Sequence, residues 1–130
     1  MNISKIERMG ILMSHTAHIE TKLMDASCIK QACERLGISC ELNSIARFYD
    51  GEVHSGTVVK INGWNYPIVI AEDGTVHMDN YNGNWGKIDD FNQLKMYYGV
   101  EKAKKEARKK GYRCREEKVG EKLKLHIFTK

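Results

Sequence analysis

Hydrophobic and polar residues alternate from residue 15 to residue 23, where alanine, isoleucine, threonine and leucine stand at every second position among polar side chains. This period of two predicts a strand with one buried face. The strand begins just after Met13, and Met13-Ser14-His15 has the character of a chain start. We therefore predict an N-terminal extension over residues 1–12 and a single domain over residues 13–130.

The next segment changes to the period of a helix. Asp25 or Ser27 can accept the first free backbone N–H groups, and apolar residues recur at helical spacing from Ile29 to Leu36. Gly37 stands where a left-handed C-cap is expected. These signals predict one amphipathic helix.

Four hydrophobic runs in the middle of the chain predict strands separated by turns. An interruption is expected near Asn43, and the dipeptide Asn62-Gly63 is typical of a type I′ hairpin turn, which needs two positive φ angles. The predicted strands are ISCEL (38–42), closed by a turn at RFYDG (47–51), then TVVKI (57–61), WNYPIVIA (64–71) and TVHM (75–78).

A long helical pattern runs from about Asp89 to Lys110, and its apolar stripe changes phase on the way. The helix must therefore bend near Gly99 or lie between two surfaces. Two faces nearly opposite each other carry apolar residues, the first with Phe91, Leu94 and Tyr98 and the second with Met96, Val100, Ala103 and Ala107.

The chain ends in two alternating segments, residues 112–119 and 122–130, which predict a hairpin across Val119-Gly120 with its leucines facing inward. The complete order is β-α-β-β-β-β-α-β-β. It predicts an α+β fold in which a mostly antiparallel sheet carries two helices packed on one face.

Composition favours a packed domain in the cytoplasm. Hydrophobic residues make up 42% of the chain and there is one proline, so disorder is not expected. No apolar run approaches the length of a membrane span, and no signal-peptide pattern is present. The four cysteines form no C-x-x-C pair, so we expect buried free thiols and no zinc site.

The net charge of +4 is concentrated in one place. Residues 102–118 hold nine Lys or Arg against three Glu, whereas the rest of the chain is slightly acidic. Such a segment is either the solvated face of a helix or a site for an anion. Guanidinium groups bind phosphate through two parallel hydrogen bonds, and aromatic side chains can stack on a base.

We therefore predict an anionic, phosphorylated ligand, either a nucleotide-type small molecule or nucleic acid. His15, at the outer end of the first strand, is a weaker candidate, because a histidine there is more often a packed, hydrogen-bonded residue. The predicted ligand-binding residues are Arg108, Lys109, Arg113, Arg115, Tyr81, Trp85 and His15.

No motif for catalysis, a metal or a cofactor is found. The five histidines are isolated in sequence, and no glycine-rich phosphate loop occurs. Ser14 and His15 are neighbours on a strand, so their side chains point to opposite faces and cannot act as a nucleophile and base. Asp89 and Asp90 are explained as helix-capping carboxylates.

Three hypotheses about function remain open at this point. We favour a non-enzymatic binding module for an anionic ligand, with a homo-oligomer as the expected assembly. A protein-interaction adaptor would instead use exposed strand edges and the second apolar face of the long helix. An enzyme would need a pocket that the sequence does not reveal.

Several motifs, in their order, resemble the hypothetical chloroplast reading frame thirty-five family of plastids, bacteria and phages. They are MSH at residue 13, TK at residue 21, LG at residue 36, GWNYPIVI from residue 63, and LKMYYGVEKAKKEARKKGY from residue 94, followed by a final strand of alternating Lys and Leu. The resemblance covers Met13 to about Phe128.

The resemblance implies that Met13 is the ancestral start, because family members begin at MSH, but it implies no activity. This chain departs from the family in two places. The usual Tyr-Ala-Tyr of the second helix reads Tyr98-Gly99-Val100, and the tryptophan near the C-terminus is missing.

Removal of residues 1–12 is expected to leave the melting temperature nearly unchanged, because the predicted pairing begins after Met13. A thermal scan of the shortened protein beside the full chain checks this. A fall of more than ~5 °C, roughly one kcal/mol for a domain of this size, would mean that the extension packs on the body or at a subunit interface.

Overall fold

The computed structural model describes residues 22–79 and 85–129, and an α+β fold is observed in them. From the first helix onward the elements follow the predicted order, and each strand pair is antiparallel. The first predicted strand, residues 15–23, lies almost entirely outside the described residues. The elements are α1 (Ala26–Leu36), β1 (Ser39–Arg47), β2 (Val53–Lys60), β3 (Ile68–Ile70), β4 (Val76–His77), α2 (Ile88–Lys109), β5 (Arg113–Val119) and β6 (Lys122–Phe128).

Within the described residues the strands form two sheets, whereas the sequence predicts one mostly antiparallel sheet. β1 to β4 form a four-stranded sheet in the order β1-β2-β3-β4, and β5 and β6 form a two-stranded sheet. The described chain also divides into two compact units, residues 22–95 and 96–129, which we call the sheet unit and the ribbon unit. No helix in the described ranges is long and apolar enough to cross a bilayer.

Helix α1 begins and ends as its sequence predicts. The Asp25 carboxylate accepts the backbone N–H groups of Ser27 and Cys28, and so caps the N-terminus. Gly37 has a φ of 69° and closes the C-terminus in the left-handed conformation. The apolar stripe between these caps is buried from Cys28 to Cys33.

The interruption predicted near Asn43 is a β-bulge. The pairing of β1 with β2 shifts its register between Glu41 and Ser44, and Asn43 has a φ of 50°. Asparagine tolerates this left-handed conformation better than most residues. β1 continues beyond the bulge to Arg47, and the predicted turn follows at Phe48 to Gly51.

The prediction of a tight type I′ hairpin at Asn62-Gly63 is wrong. Gly63 has a φ of 88°, but the φ of Asn62 is not positive. The Trp64 N–H donates to the Ile61 carbonyl at 3.1 Å, as in a type II turn, which needs a glycine-like residue only at its third position. β3 consequently begins at Ile68 and spans three residues, so Trp64 and Tyr66 lie before the strand.

The sheet unit buries residues of both faces of its central strands. One cluster consists of Phe48, Val58 and Val69, with Ala46 packed against it. Alternation places Val59, Ile68 and Ile70 on the other face, where they are also buried.

Both apolar stripes of α2 are buried, as the change of phase predicts. Leu94 and Tyr98 of the first stripe are buried, and so are Val100 and Ala107 of the second. In the ribbon unit, Ala103 of α2 packs with Leu125, Cys114 and Ile127 of the two-stranded ribbon.

The terminal hairpin is confirmed, with its loop one residue further along than predicted. Val119 pairs with Lys122, so Gly120-Glu121 is the two-residue loop, and Gly120 has a φ of 62°. Leu123 and Leu125 face inward and are buried.

Candidate anion-binding site

The β5–β6 ribbon has two chemically different faces. Side chains alternate along each strand, so Cys114 and its cross-strand partner Ile127 share one face with Leu125. This face packs on α2. The opposite face, which we call the outer ribbon face, consists of Arg113, Arg115, Glu117 and Val119 of β5 with Lys122, Lys124, His126 and Phe128 of β6.

The outer ribbon face is strongly basic. Arg113 and Arg115 are exposed two residues apart on β5, and within the described residues no ion pair joins either guanidinium to a carboxylate. Lys122 and Lys124 add two ammonium groups on the neighbouring strand. These four cations face one carboxylate, that of Glu117.

Glu117 is itself engaged by a neighbour. Its carboxylate lies 3.0 Å from Nε2 of His126, and this hydrogen bond lowers the pKa of Glu117, with smaller contributions from the nearby charges of Lys124 and Arg115. The single acidic group on the outer ribbon face therefore stays ionised and lies at one end of the arginine pair.

The lysines of α2 behave differently from the arginines of β5. Nζ of Lys104 lies 3.0 Å from a Glu116 carboxylate oxygen and 3.6 Å from one of Glu101. Lys102 lies 3.3 Å from Glu106 of the same helix. Lys102 and Lys104 therefore have carboxylate partners, as expected if the helical part of the basic segment is a solvated face.

The predicted residues Arg108 and Lys109 lie at the C-terminal end of α2. Lys109 lies 3.7 Å from Glu106, in an exposed i,i+3 pair. The positive charge of Arg108 acts on the thiol of Cys114, which is on the helix-facing side of the ribbon. Arg113 and Arg115 occupy the other side, so the structure brings the two arginines of β5 together but does not group Arg108 with them.

Trp85 has aromatic partners that the sequence did not predict. Its ring centroid lies 5.2 Å from that of Tyr49 and 5.3 Å from that of Tyr66, and the two tyrosine rings meet edge to face at 6.3 Å. This triad belongs to the sheet unit, whereas the basic segment belongs to the ribbon unit. Tyr81 and His15, the other two predicted residues, lie outside the described residues.

Two histidines of the sheet unit are also brought together. The rings of His54 and His77 stack with centroids 3.9 Å apart, and Nε2 of His54 lies 3.2 Å from a Glu52 carboxylate oxygen. His77 pairs with Val69 across the sheet, which explains the meeting of residues far apart in sequence. In the ranges that the structure describes, no group of three His, Cys, Asp or Glu side chains is arranged to hold a metal ion.

Three residues of the outer ribbon face were not predicted from the sequence to bind a ligand: Lys122, Lys124 and Phe128. Their signal was present as the alternation of the last strand, but only the cross-strand register places them beside Arg113 and Arg115. Asp90, explained from sequence as a helix cap, accepts a hydrogen bond at 3.1 Å from Nε1 of Trp64 in addition to lying in the first turn of α2.

Comparisons with protein-family models, curated proteins and solved structures give no match. The resemblance to the chloroplast reading frame family therefore stays a prediction, carried by the sequence motifs alone.

Proposed function

We propose that this protein is a binding module for a phosphate-bearing ligand, and that the outer ribbon face holds the phosphate. The observation that carries the proposal is the pair of exposed guanidinium groups of Arg113 and Arg115, which lie on one side of one strand without an ion-pair partner among the described residues. A cytoplasmic homo-oligomer remains the expected form of the protein.

The chemistry of the outer ribbon face suits a phosphate-bearing ligand. Each arginine offers a planar fork of N–H donors that can bind two phosphate oxygens at once. Lys122 and Lys124 add point charges along the neighbouring strand, at a spacing that suits several phosphates in a row. Phe128, opposite Arg113 and 45% exposed, offers a ring next to the arginine pair.

Replacing Arg113 and Arg115 together by glutamine should weaken ligand binding at least tenfold. The change removes two charge-assisted contacts of on the order of 1.5–3 kcal/mol each, while the exposed positions leave the fold intact. Fluorescence anisotropy with a labelled oligonucleotide, and calorimetry with a nucleoside triphosphate, measure the two sources of phosphate separately. The salt dependence of oligonucleotide binding should also flatten, by about one unit of slope for each lost phosphate contact.

The matched control replaces Lys102 and Lys105 of α2 by glutamine, which removes the same formal charge from the helix. Retained affinity in this control, with loss in the arginine variant, supports a defined site on the ribbon. Equal losses in both would indicate diffuse attraction, as for nucleic acid bound mainly through its backbone.

Unchanged binding of both probes in both variants, or no binding by the unaltered protein, would overturn the anion proposal. The adaptor would then be the better hypothesis, because β1 and β2 expose apolar side chains. Ile45 is 67% exposed and Val53 is 50% exposed.

A further inference from the structure

The turn that follows β2 has Asn62 and Gly63 at its centre, and both residues are exposed. The hydrogen bond from the Trp64 N–H to the Ile61 carbonyl closes this turn. Gly63 stands in open space, because a Cβ built on it would meet no atom within 4 Å. Water therefore reaches both the Asn62 side chain and the Gly63 backbone.

Neither central residue is held by a hydrogen bond within the described part of the chain. The Gly63 N–H has no acceptor there, and the Asn62 side chain has no partner there. The peptide between the two residues can also rotate without breaking the bond that closes the turn, since type I and type II turns share that bond and differ in the orientation of this peptide. Glycine tolerates the backbone conformation of either turn. The Gly63 nitrogen can thus approach the Asn62 side chain.

The Asp-Gly pair in the turn after β1 is held in place by contrast. The Gly51 N–H donates to the Phe48 carbonyl at 2.9 Å. The Asp50 carboxylate accepts the Glu52 N–H at 2.9 Å. The backbone nitrogen and the side chain are thus both engaged with other groups.

The Asp-Gly pair between β3 and β4 is held in the same way. The Gly74 N–H donates to the Ala71 carbonyl at 2.9 Å, and the Asp73 carboxylate accepts the Thr75 N–H at 2.9 Å. This turn is also crowded, because a Cβ built on Gly74 would lie 3.0 Å from a side-chain carbon of Met24. Of these three turns, the one at Asn62 alone leaves both reacting groups without a hydrogen bond in the described residues.

We propose that Asn62 is a modification site, at which the side-chain amide is lost through attack by the Gly63 backbone nitrogen. The products are aspartate and isoaspartate at position 62. The reaction needs no enzyme and no co-reactant other than water. It replaces a neutral amide by a carboxylate, and so lowers the formal net charge of +4 by one.

The atoms balance over two steps. Base removes the proton of the Gly63 amide, the nitrogen attacks Cγ of Asn62, and the bond from Cγ to the side-chain nitrogen breaks. That nitrogen leaves as ammonia after taking up a proton, and a cyclic succinimide remains. Water then adds to one of the two ring carbonyls, and the bond from that carbon to the ring nitrogen breaks. Opening at Cγ gives aspartate, and opening at the backbone carbonyl gives isoaspartate, with the main chain running through Cγ.

Peptide mapping of the full chain during incubation in a warm, mildly alkaline buffer tests the proposal. Cleavage after glutamate gives residues 53–72, which separates Asn62 from the second Asn-Gly pair, Asn82-Gly83, outside the described residues. The mass of this peptide should rise as the amide becomes a carboxyl group, and fragmentation should place the change at Asn62. A protein isoaspartate methyltransferase should label part of the product.

The same chain unfolded in guanidinium chloride is the reference for each site. Asn62 should convert nearly as fast in the folded protein as in the unfolded chain, whereas Asp50 and Asp73 should form isoaspartate only in the unfolded chain. Three results would each overturn the proposal: an unchanged peptide from the folded protein while the unfolded chain converts, a product located at Asn65, or equal protection of all three sites by folding.

Gly63→Ala is the matched variant, because its methyl group hinders attack by the neighbouring nitrogen while the open space around it keeps the fold intact. Conversion at Asn62 should slow several-fold in this variant and stop in Asn62→Gln. Gly51→Ala should leave the rate at Asn62 unchanged. An unchanged rate in Gly63→Ala, or a product without isoaspartate, would show direct hydrolysis by water and would contradict the attack by the Gly63 nitrogen.

Discussion

Gly56→Ala should destabilise the protein by roughly 3 kcal/mol or more, because two costs add at this position of β2. Gly56 has a φ of 148°, a conformation that residues with a Cβ rarely adopt. A Cβ built there would overlap the carbonyl oxygen of Ile70 and lie 2.9 Å from its carbonyl carbon. Ile70 pairs with Thr57 in the centre of the sheet, so its backbone cannot move away without loss of pairing.

Urea unfolding of the variant measures this loss, which corresponds to a fall in melting temperature of roughly 15 °C. Gly63→Ala is the matched control, since Gly63 also has a positive φ but a Cβ there meets nothing within 4 Å. Gly63→Ala should lower the free energy of unfolding by only about 1–2 kcal/mol, the cost of a left-handed backbone conformation for a residue with a Cβ. Equal costs at both glycines would show that the contact with Ile70 adds nothing.

Gly86→Ala should cost about 3 kcal/mol for a reason of packing alone, because its φ is not in the left-handed region. Its Cβ would overlap the six-membered ring of the Trp64 indole. The indole is not free to yield, since its Nε1 donates to the Asp90 carboxylate at 3.1 Å. The backbone is tied as well, because the Asn65 N–H donates to the Trp85 carbonyl at 2.8 Å.

A double-mutant cycle with Trp64→Ala tests this contact directly. Without the indole there is room for the new methyl group, so adding Gly86→Ala to the Trp64→Ala protein should change the free energy of unfolding by less than ~0.5 kcal/mol. The coupling between the two changes is then about 2 kcal/mol or more, measured by urea unfolding of the four proteins. Additive costs would mean that Gly86 is required for another reason.

The elements that the sequence predicted correctly depend on local signals. Asp25 and Gly37 define α1 through hydrogen bonds to residues of the same helix, and Asn43 marks the bulge through its own backbone preference. The turn at residues 61–64 was mispredicted because an Asn-Gly pair suits both a type I′ and a type II turn. The choice between them follows from the pairing of Val59 with Ile68, which is not local.

In the candidate site, too, the sequence predicted what depends on local alternation and missed the contacts that depend on tertiary packing. Alternation alone placed Arg113 and Arg115 on one face, and this is how they lie in β5. The balancing of Lys104 by Glu116, twelve residues away, depends on packing between α2 and the ribbon, so no sequence period could indicate it. The contact between Tyr49 and Trp85 likewise depends on the tertiary fold.

The bulge at Asn43 bears on how the molecule avoids aggregation. β1 is the outermost strand of the described four-stranded sheet on its side, and it exposes Leu42 and Ile45. A regular strand with such side chains is a template on which further molecules can add by main-chain pairing. The irregular backbone at Asn43 breaks the row of donors and acceptors in the middle of β1, so an incoming strand can match only half of it at a time.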